Sequence, residues 1–479
     1  MSKNSLPKQT KLLWQLRVGI LGVIPFCVFF ILSVISDWFL IGAFTFAVIT
    51  AAALIVMLLA AFLRFRSFSI VCGKNGVKIR EGVFLKKTSY IAVSKLSSVQ
   101  TVQNPLDAVF GAVTYCVNTE AGKKGKTDFK FKLSLKNSKK VSELLYGKSD
   151  YTAVRFSFVK VAVMAATTSS AVTGMIIGVP IINKAGKLLG LALDSILLNE
   201  INNVSGQVKS YFPPIVSAIT LIFLLSYAVS FVYSFLKYIN FKLFLEKDKL
   251  EVRSGFFVRS RTSFKKSSVN DVIIDQTPLM RLFKRYAMKV SVGGYGNSKS
   301  ETAVLVPSER RGNIKRQFMA YFPFLIPGGR LLHAGRDKKT KSRFLYFPRL
   351  YFCIATAAAV IPAVIFPKFA RFILFLYLVT AAVLLYYSYL CIFDFRFGKL
   401  RIGDNIYAQG IKGFNTYEFY CPKENVGEIK IIRTLPARKY GTCTVTVSVR
   451  SESADSVTVR HLDYGSVKQN IFEVYNIKV

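Results

Sequence analysis

A single structural unit is repeated three times along this chain of 479 residues. Two long apolar segments precede a strand-like segment centred on Gly82, and the same order recurs before Gly255 and before Gly410. An internal repeat constrains a fold strongly, because each copy is expected to form the same supersecondary unit. The chain is therefore predicted to contain three copies of two membrane helices followed by a small strand-rich domain.

Six apolar segments are long enough to cross a bilayer, which takes about 20 residues of helix. They are Val18 to Ile35, Phe39 to Leu63, Val161 to Ile182, Pro214 to Leu236, Leu350 to Phe366 and Phe372 to Phe393. A second apolar run follows the first almost at once, so the first is interpreted as a retained helix and not as a cleaved signal peptide. Between the third and fourth segments, Leu188 to Ile201 is too short to span and is predicted to be an interfacial amphipathic helix.

The charge distribution predicts which side of the membrane the domains occupy. Lysine and arginine number 66 against 26 aspartates and glutamates, which gives a net charge of +40. These cations crowd the N-terminus and the three domain-sized segments, whereas the short connections carry few. By the positive-inside rule, both termini and all three domains are predicted to lie on the cytoplasmic side of the cell membrane.

These segments divide the chain into alternating membrane and cytoplasmic parts. The predicted parts are the N-terminal tail with the first helix pair (1–63), the first domain (64–150), the second helix pair (151–237), the second domain (238–328), a basic juxtamembrane linker (329–349), the third helix pair (350–393) and a divergent third domain (394–479).

The first two copies align without a gap over 36 residues. An offset of 173 places Gly255 on Gly82, and it also matches Val272 with Val99, Pro278 with Pro105, Leu279 with Leu106 and Phe283 with Phe110. The third copy is weaker: Gly410 aligns with Gly255 at an offset of 155, and a two-residue shift then aligns Val426 with Val269 and Thr434 with Thr277.

Alternating apolar residues predict strands in each copy. Val77 and Ile79 share one face, and Gly82 and Gly255 are predicted to reverse the chain in a hairpin. Further strands are predicted at Val113–Thr119, Ala287–Val292 and Thr442–Arg450, and helices at Asn137–Tyr146 and Glu309–Tyr321. Strands closed by one C-terminal helix indicate a small barrel or sandwich.

The run VQNPLDAVFGAVTYCVNTEAG, from Val102 to Gly122, resembles the signature of bacterial pleckstrin-homology (PH) domains. DQTPLMRLFKRYAMKVSV in the second copy is a variant of it, and the order of helix pair then domain resembles the YdbT-like membrane proteins. The resemblance implies PH-like barrels with a C-terminal helix, no known enzymatic activity and a companion membrane protein of the same domain family. The third copy has Leu435-Pro436-Ala437 in place of the Pro-Leu-x-x-x-Phe element, so it is expected to serve structure or assembly.

Basic residues are the candidate binding residues. One set follows the hairpin glycines, and a second set lies in the linker before the fifth apolar segment: Lys86, Lys87, Arg259, Arg261, Lys265, Lys266, Arg336, Lys338, Lys339, Lys341 and Arg343. Cations beside a membrane segment commonly contact anionic headgroups. The alternatives are a solvated face for the first set and a topogenic signal for the second.

Residue types suited to catalysis or metal binding are sparse. The seven cysteines form no CxxC pair and are expected to be small buried hydrophobes in a reducing compartment. There are two histidines, and no nucleophile elbow, phosphate-binding loop or paired-carboxylate motif is present. Gly293 to Gly296 is interpreted as a turn, and the aromatic residues of the basic helix at Glu309–Tyr321 are expected to pack on the barrel or bilayer instead of binding nucleic acid. The sequence therefore predicts no catalytic residue, cofactor or metal.

The favoured hypothesis is a non-enzymatic membrane scaffold. Its domains would contact anionic inner-leaflet lipid or the companion protein. From the resemblance we also expect a role in envelope stress or in resistance to membrane-active peptides. The alternative is a transporter or channel regulated by its domains, for which the support is a polar patch, Thr167 to Ser170. The sequence leaves the oligomeric state open.

Overall fold

The computed structural model describes residues 69–119, 128–135, 152–169, 214–292, 303–333, 344–449 and 456–476, apart from short gaps, together with scattered residues elsewhere. Several predicted features lie outside these ranges. They are the segment Val18 to Ile35, most of Phe39 to Leu63, the 183–213 connection, the Gly293 to Gly296 turn and most of Asn137–Tyr146.

The first repeat contains six strands and a short helix within the described residues. They are β1 (Ser69–Cys72), β2 (Gly76–Glu81), β3 (Lys87–Ala92), β4 (Leu96–Gln103), α1 (Pro105–Val109), β5 (Ala112–Thr119) and β6 (Phe129–Ser134). A 3-10 turn, Val93–Lys95, joins β3 to β4. Val77 and Ile79 are both buried in the core of this repeat, as their predicted shared face requires.

The second repeat has the same order with one more strand and three more helices within the described residues. Its elements are β7 (Thr152–Arg155), α2 (Phe158–Thr168), α3 (Pro214–Tyr238), β8 (Lys242–Leu245), β9 (Lys249–Ser254), β10 (Arg259–Lys265), β11 (Val269–Gln276), α4 (Pro278–Leu282), β12 (Arg285–Val292), β13 (Ala303–Arg310) and α5 (Arg311–Tyr321). The predicted C-terminal helix is confirmed as α5, although its first predicted residues, Glu309 and Arg310, end the preceding strand.

The third repeat follows the second element by element. It contains β14 (Leu331–His333), α6 (Tyr346–Ile365), α7 (Ala370–Phe397), β15 (Lys399–Arg401), β16 (Asn405–Lys412), β17 (Asn415–Pro422), β18 (Val426–Ile432), α8 (Leu435–Lys439), β19 (Thr442–Val449), β20 (Ser456–Asp463) and α9 (Tyr464–Tyr475). The divergent Leu435-Pro436-Ala437 element thus still begins a short helix, because Pro436 lies where a missing amide costs no helical hydrogen bond.

Three helices in the described part of the chain are long and apolar enough to cross a membrane. They are Leu221–Tyr238 within α3, Tyr346–Ile365, which is α6, and Ile373–Phe397 within α7. Six spans in three pairs are therefore not shown: the first predicted segment lies outside the described residues, the second is described only at scattered helical residues, and the third is described only as the 11-residue α2.

The first strand of a repeat precedes its membrane helices. β7 comes before α2 and α3, yet it pairs with β8, which follows them. In the same way β14 pairs with β15 on the other side of α6 and α7. Each helix pair therefore leaves from and returns to neighbouring strands of one sheet, which holds the helix ends against the domain.

The sheets do not stop at the repeat boundaries. Three-stranded sheets lie at the two ends, with orders β1-β2-β3 and β18-β19-β20, and two seven-stranded antiparallel sheets lie between them. Their orders are β6-β5-β4-β10-β9-β8-β7 and β13-β12-β11-β17-β16-β15-β14. β4 of the first repeat therefore pairs with β10 of the second, and β11 of the second pairs with β17 of the third.

The two junctions use the same register. Val99 lies opposite Ser263 at the first junction, and Val272 lies opposite Tyr420 at the second. Val272 is the repeat equivalent of Val99 at the offset of 173, and Tyr420 follows Ser263 by 157 residues, the offset that also aligns Val426 with Val269. The three repeats are therefore joined by one repeated strand-pairing rule.

Candidate membrane-facing site

The β9–β10 hairpin is attached by its tip to the end of a membrane helix. The amide of Gly255 donates to the carbonyl of Ile239 at 2.8 Å, and the amide of Phe256 donates to the carbonyl of Leu236 at 3.1 Å. The last carbonyls of a helix lack partners within the helix, so these two bonds cap the C-terminal end of α3. The hairpin tip therefore lies at the C-terminal end of an apolar helix that is long enough to cross a membrane.

Glycine is required at the start of this tip. Gly255 has φ of +103°, and a Cβ there would lie 2.0 Å from the carbonyl oxygen of Val258. Gly82 has the same geometry in the first repeat, with φ of +108° and 1.9 Å to the carbonyl oxygen of Leu85. The predicted reversal of the chain at both glycines is confirmed.

The tips expose apolar side chains beside cations. Phe256 and Phe257 are more than half exposed, with ring centroids 5.0 Å apart, and the exposed Arg259 follows them. In the first repeat Leu85 is 89% exposed and precedes the exposed Lys86 and Lys87. Aromatic and basic side chains together are typical of the bilayer interface.

The remaining predicted cations of this set lie farther along the strand and contact protein. Arg261 pairs with the buried Glu251, with 2.7 Å between Nε and Oε1, and Arg253 reaches the same carboxylate. Lys265 donates to the carbonyl of Ser94 in the first repeat at 2.9 Å, and Lys266 is half-buried in the 3-10 turn Lys266–Ser268. Of the four predicted cations in the second repeat, only Arg259 therefore lies at the tip.

The second predicted set of cations is the one in the basic linker before α6. Arg336, Lys338, Lys339, Lys341 and Arg343 all lie outside the described residues.

The short helix that carries the Pro-Leu-x-x-x-Phe element also adjoins the membrane helices. Arg281 of α4 lies over the rings of Tyr386, Tyr389 and Phe393 of α7, between 5.2 and 5.9 Å from their centroids. Leu282 at the end of α4 is exposed. Sequence reasoning used this element for the repeat and the resemblance but missed its position beside α7.

A cavity of about 440 Å³ lies behind the hairpin tip of the second repeat. Its wall combines Gln100 of β4 and Asn104, which follows that strand, with Tyr233 and Lys237 from the end of α3 and with Phe257 from the tip. The cavity is mostly apolar, and it lies where the first junction meets a membrane helix.

The described chain shares its sequence pattern with one known domain family. A sequence model of the bacterial PH domain matches residues 23–149 and 192–319, which together make up more than half of the chain. The chain belongs to the bacterial PH domain family. No curated protein and no solved structure matches it. The two matched ranges cover the first and second repeats.

The third repeat, although outside the two matched ranges, has strands and sheets compatible with a third PH-like domain. Its hairpin differs in one respect from the sequence expectation. Gly410 lies inside β16, opposite Tyr417, and the chain turns instead at Gly413 and Phe414, where Gly413 has φ of +62°. Gly410 is therefore not the hairpin glycine of this repeat, because its strand pairing continues for two more residue pairs.

Close packing explains the glycine at position 410. A Cβ there would lie 3.1 Å from Oδ1 of Asp394 and 3.1 Å from the hydroxyl oxygen of Tyr417. Asp394 is buried near the end of α7, where the backbone amide of Ile411 hydrogen-bonds it. Phe414 at the tip lies 6.3 Å from the ring of Tyr386, so the third PH-like hairpin also contacts its membrane helix.

An ion pair and a close contact between two aromatic rings reinforce the second junction between PH-like domains. Arg311 of α5 pairs with Glu418 of β17, and the ring of Phe318 lies 4.2 Å from that of Tyr420. Burial raises the pKa of Tyr420 above its ordinary value, and the nearby negative charge of Glu418 raises it further. The aromatic face of α5 thus packs on the sheet of the second junction, in agreement with the prediction that these aromatic residues pack on the domain or the bilayer.

The described cysteines outside the membrane helices are protected as thiols. Cys116, Cys421 and Cys443 are buried, and burial raises the pKa of each. For Cys443 the pKa reaches about 12. A thiol is a nucleophile only when deprotonated, so these three groups are poorly suited to attack at neutral pH. Among the described residues, no group of three or more histidine, cysteine or acidic side chains is placed to bind a metal ion.

Proposed function

We propose that this chain is a non-enzymatic scaffold of the cytoplasmic membrane whose PH-like domains contact anionic inner-leaflet lipid. The supporting observation is the hydrogen-bonded attachment of the β9–β10 tip, with its exposed Phe256, Phe257 and Arg259, to the C-terminal end of the apolar helix α3. Each cation near an anionic leaflet contributes about 1 kcal/mol. Lys86 and Lys87 extend the same contact from the first domain.

The continuous sheets support a scaffold role. Because β4 pairs with β10 and β11 with β17, the hairpins of the three domains are held at fixed separations. Later lipid contacts are then effectively intramolecular, so weak individual contacts add up through avidity. In this proposal both termini lie in the cytoplasm, as in the YdbT-like arrangement, and a companion membrane protein of the same family is a further partner. A role in envelope stress or in resistance to membrane-active peptides remains part of the proposal.

Tryptophan fluorescence in nanodiscs tests the lipid contact. Trp14 and Trp38, the two native tryptophans, are replaced by phenylalanine, and Phe257→Trp supplies the reporter. Brominated phosphatidylglycerol is expected to quench this reporter more strongly than brominated phosphatidylcholine. Ser267→Trp is the matched control, since it lies in the 3-10 turn beyond the opposite end of β10, a strand of 7 residues that is roughly 20 Å long at about 3.3 Å per residue. Equal quenching at the two positions would contradict the proposed contact.

A lipid analysis of the purified full chain provides a second test. Replacing Lys86, Lys87 and Arg259 together by alanine is expected to lower the phosphatidylglycerol that co-purifies with the protein. The matched control replaces Lys315 and Arg316, which are exposed on α5. Unchanged lipid content in the triple variant would show that these three cations do not bind the lipid.

The polar patch of the third apolar segment does not favour the transporter alternative. The hydroxyls of Thr167 and Thr168 donate to the carbonyl of Met164 in α2, and that of Ser169, the C-cap residue, donates to the carbonyl of Ala165, whereas Ser170 lies outside the described residues. The hydroxyl of Tyr227 on α3 donates to the carbonyl of Ala166 at 2.7 Å. These bonds support helix packing, and solute flux in proteoliposomes would reverse this preference.

A further inference from the structure

The two end sheets each have an outer strand that corresponds to a paired strand elsewhere. β3 is the outer strand of the first domain, and its equivalents β10 and β17 each pair with the preceding repeat. β18 is the outer strand of the third domain, and its equivalents β4 and β11 each pair with the following repeat. Within the described residues, no strand pairs with the outer edge of β3 or of β18.

Side-chain exposure shows the same difference. Tyr90 of β3 is 66% exposed. Its equivalents are buried: Ser263 at the first junction is 5% exposed, and Tyr420 at the second junction is 7% exposed. β18 alternates between half-buried and exposed residues, while its equivalent β11 is mostly buried. The end strands therefore expose the surface that the inner repeats bury against each other.

The repeated register fixes how the two ends would pair. At the established offsets, Tyr90 corresponds to Ser263, and Ile429 corresponds to Val272 and Val99. A junction formed by β3 and β18 would thus place Tyr90 opposite Ile429 and Thr88 opposite Ile431. An aromatic side chain opposite a β-branched one is a favourable cross-strand pair.

We propose that β18 of one copy pairs with β3 of a second copy of this chain, head to tail, in the register of the internal junctions. The two surfaces are different and lie at opposite ends of the array, so the contact is heterologous and generates a ring or an open row of copies. Membrane helices accompany the domains, so the row extends along the bilayer. This inference is independent of the proposed lipid contact.

Charges at both edges limit this association. Lys87 on β3 and Glu428 and Lys430 on β18 are exposed, and charged residues on an edge strand oppose indiscriminate pairing. The shared register also places Lys86 opposite Arg433, which is an unfavourable pair. Association between copies is therefore expected to strengthen as salt screens these two cations.

Cysteine crosslinking between differently tagged full-length copies tests the register. Tyr90→Cys on one copy and Ile429→Cys on the other are expected to give an oxidised product that carries both tags in membranes. Tyr90→Cys with Lys430→Cys is the matched control, because a shift of one residue places the second thiol on the opposite face. Each single variant is tested as well, because the chain has seven native cysteines.

An internal reference keeps a negative result informative. Val99→Cys and Ser263→Cys in one chain are expected to crosslink within that chain, since these positions are opposite each other in the first junction. If this reference pair forms but no product with both tags appears for Tyr90→Cys and Ile429→Cys, the inference is overturned. It is overturned equally if the control with Lys430→Cys gives the same yield.

Discussion

Arg311 and Glu418 form an ion pair across the junction of the second and third domains, with 3.1 Å between Nη2 and Oε1. The carboxylate of Glu418 is buried, whereas the guanidinium is half exposed and lies 6.0 Å from the ring centroid of Tyr286. Tyr420 also donates to Glu418, at 3.2 Å. This carboxylate thus connects the C-terminal helix of one domain with a strand of the next.

Arg311→Ala is expected to destabilise the protein by about 1–3 kcal/mol, because it leaves the buried Glu418 without its charged partner. Thermal unfolding of the purified full chain in detergent measures this change. Arg316→Ala on the same helix is the matched control, since Arg316 is exposed, and is expected to change stability by less than about 0.5 kcal/mol. Equal effects of the two variants would show that the pair contributes nothing to the junction.

Gly255→Ala is expected to disrupt the second hairpin tip, because the new Cβ would lie 2.0 Å from a backbone oxygen at a positive φ. A positive φ alone costs about 1–3 kcal/mol, and the close contact adds to it. Gly312→Ala on α5 is the control: its Cβ meets nothing within 4 Å, and alanine is favoured in a helix by up to about 1 kcal/mol. Melting temperatures should therefore move in opposite directions, and a neutral Gly255→Ala would refute the required tip geometry.

Gly410→Ala is expected to destabilise the third domain and weaken its contact with α7. The added Cβ would be 3.1 Å from both Asp394 and Tyr417, so one of these groups must move. A loss of about 1–3 kcal/mol is typical of overpacking. Proteolysis of the full chain, followed by mass spectrometry, should show earlier cleavage near β16 than in Gly465→Ala on α9, whose Cβ would make an ordinary contact at 3.5 Å with Oδ2 of Asp463.

Cys443 is expected to make stability depend on alkaline pH. Burial raises its pKa from an ordinary 9.0 to about 12 in the folded protein. Its contribution is fully present below pH 9 and is lost as pH rises from 9 towards 12, because the unfolded chain releases the proton first. Cys443→Ala should therefore show a smaller fall in melting temperature between pH 8 and pH 10 than the unsubstituted protein. An identical fall would mean that the thiol does not titrate in this way.

Much of each repeat is predictable from local sequence. Alternation at Val77 and Ile79 identified a strand with a buried face, and the glycines at 82 and 255 identified the turns, because only glycine tolerates their backbone geometry. The same prediction was wrong for Gly410, because its small size allows close packing with Asp394 and does not serve a turn. A glycine alone does not distinguish these two uses.

The candidate site was predictable only in part. The sequence indicated that basic residues follow the hairpin glycines, and Lys86, Lys87 and Arg259 do lie at or beside the tips. Arg261 and Lys265 have the same charge and almost the same sequence position, yet they bind Glu251 and the carbonyl of Ser94. Those partners are distant in sequence or lie on a neighbouring strand, so charge pattern alone could not assign them.

The sequence by itself determined the repeat, several of the strands in each copy and the three long apolar helices of the described residues. All three depend on local periodicity and composition, which act over a few residues. Only the tertiary structure decided that β4 joins β10 and β11 joins β17. Strand pairing uses backbone amides and carbonyls that every residue possesses, so its partners carry little signature in the side chains. For the same reason, the unpaired outer edges of β3 and β18 within the described residues cannot be identified from the sequence alone.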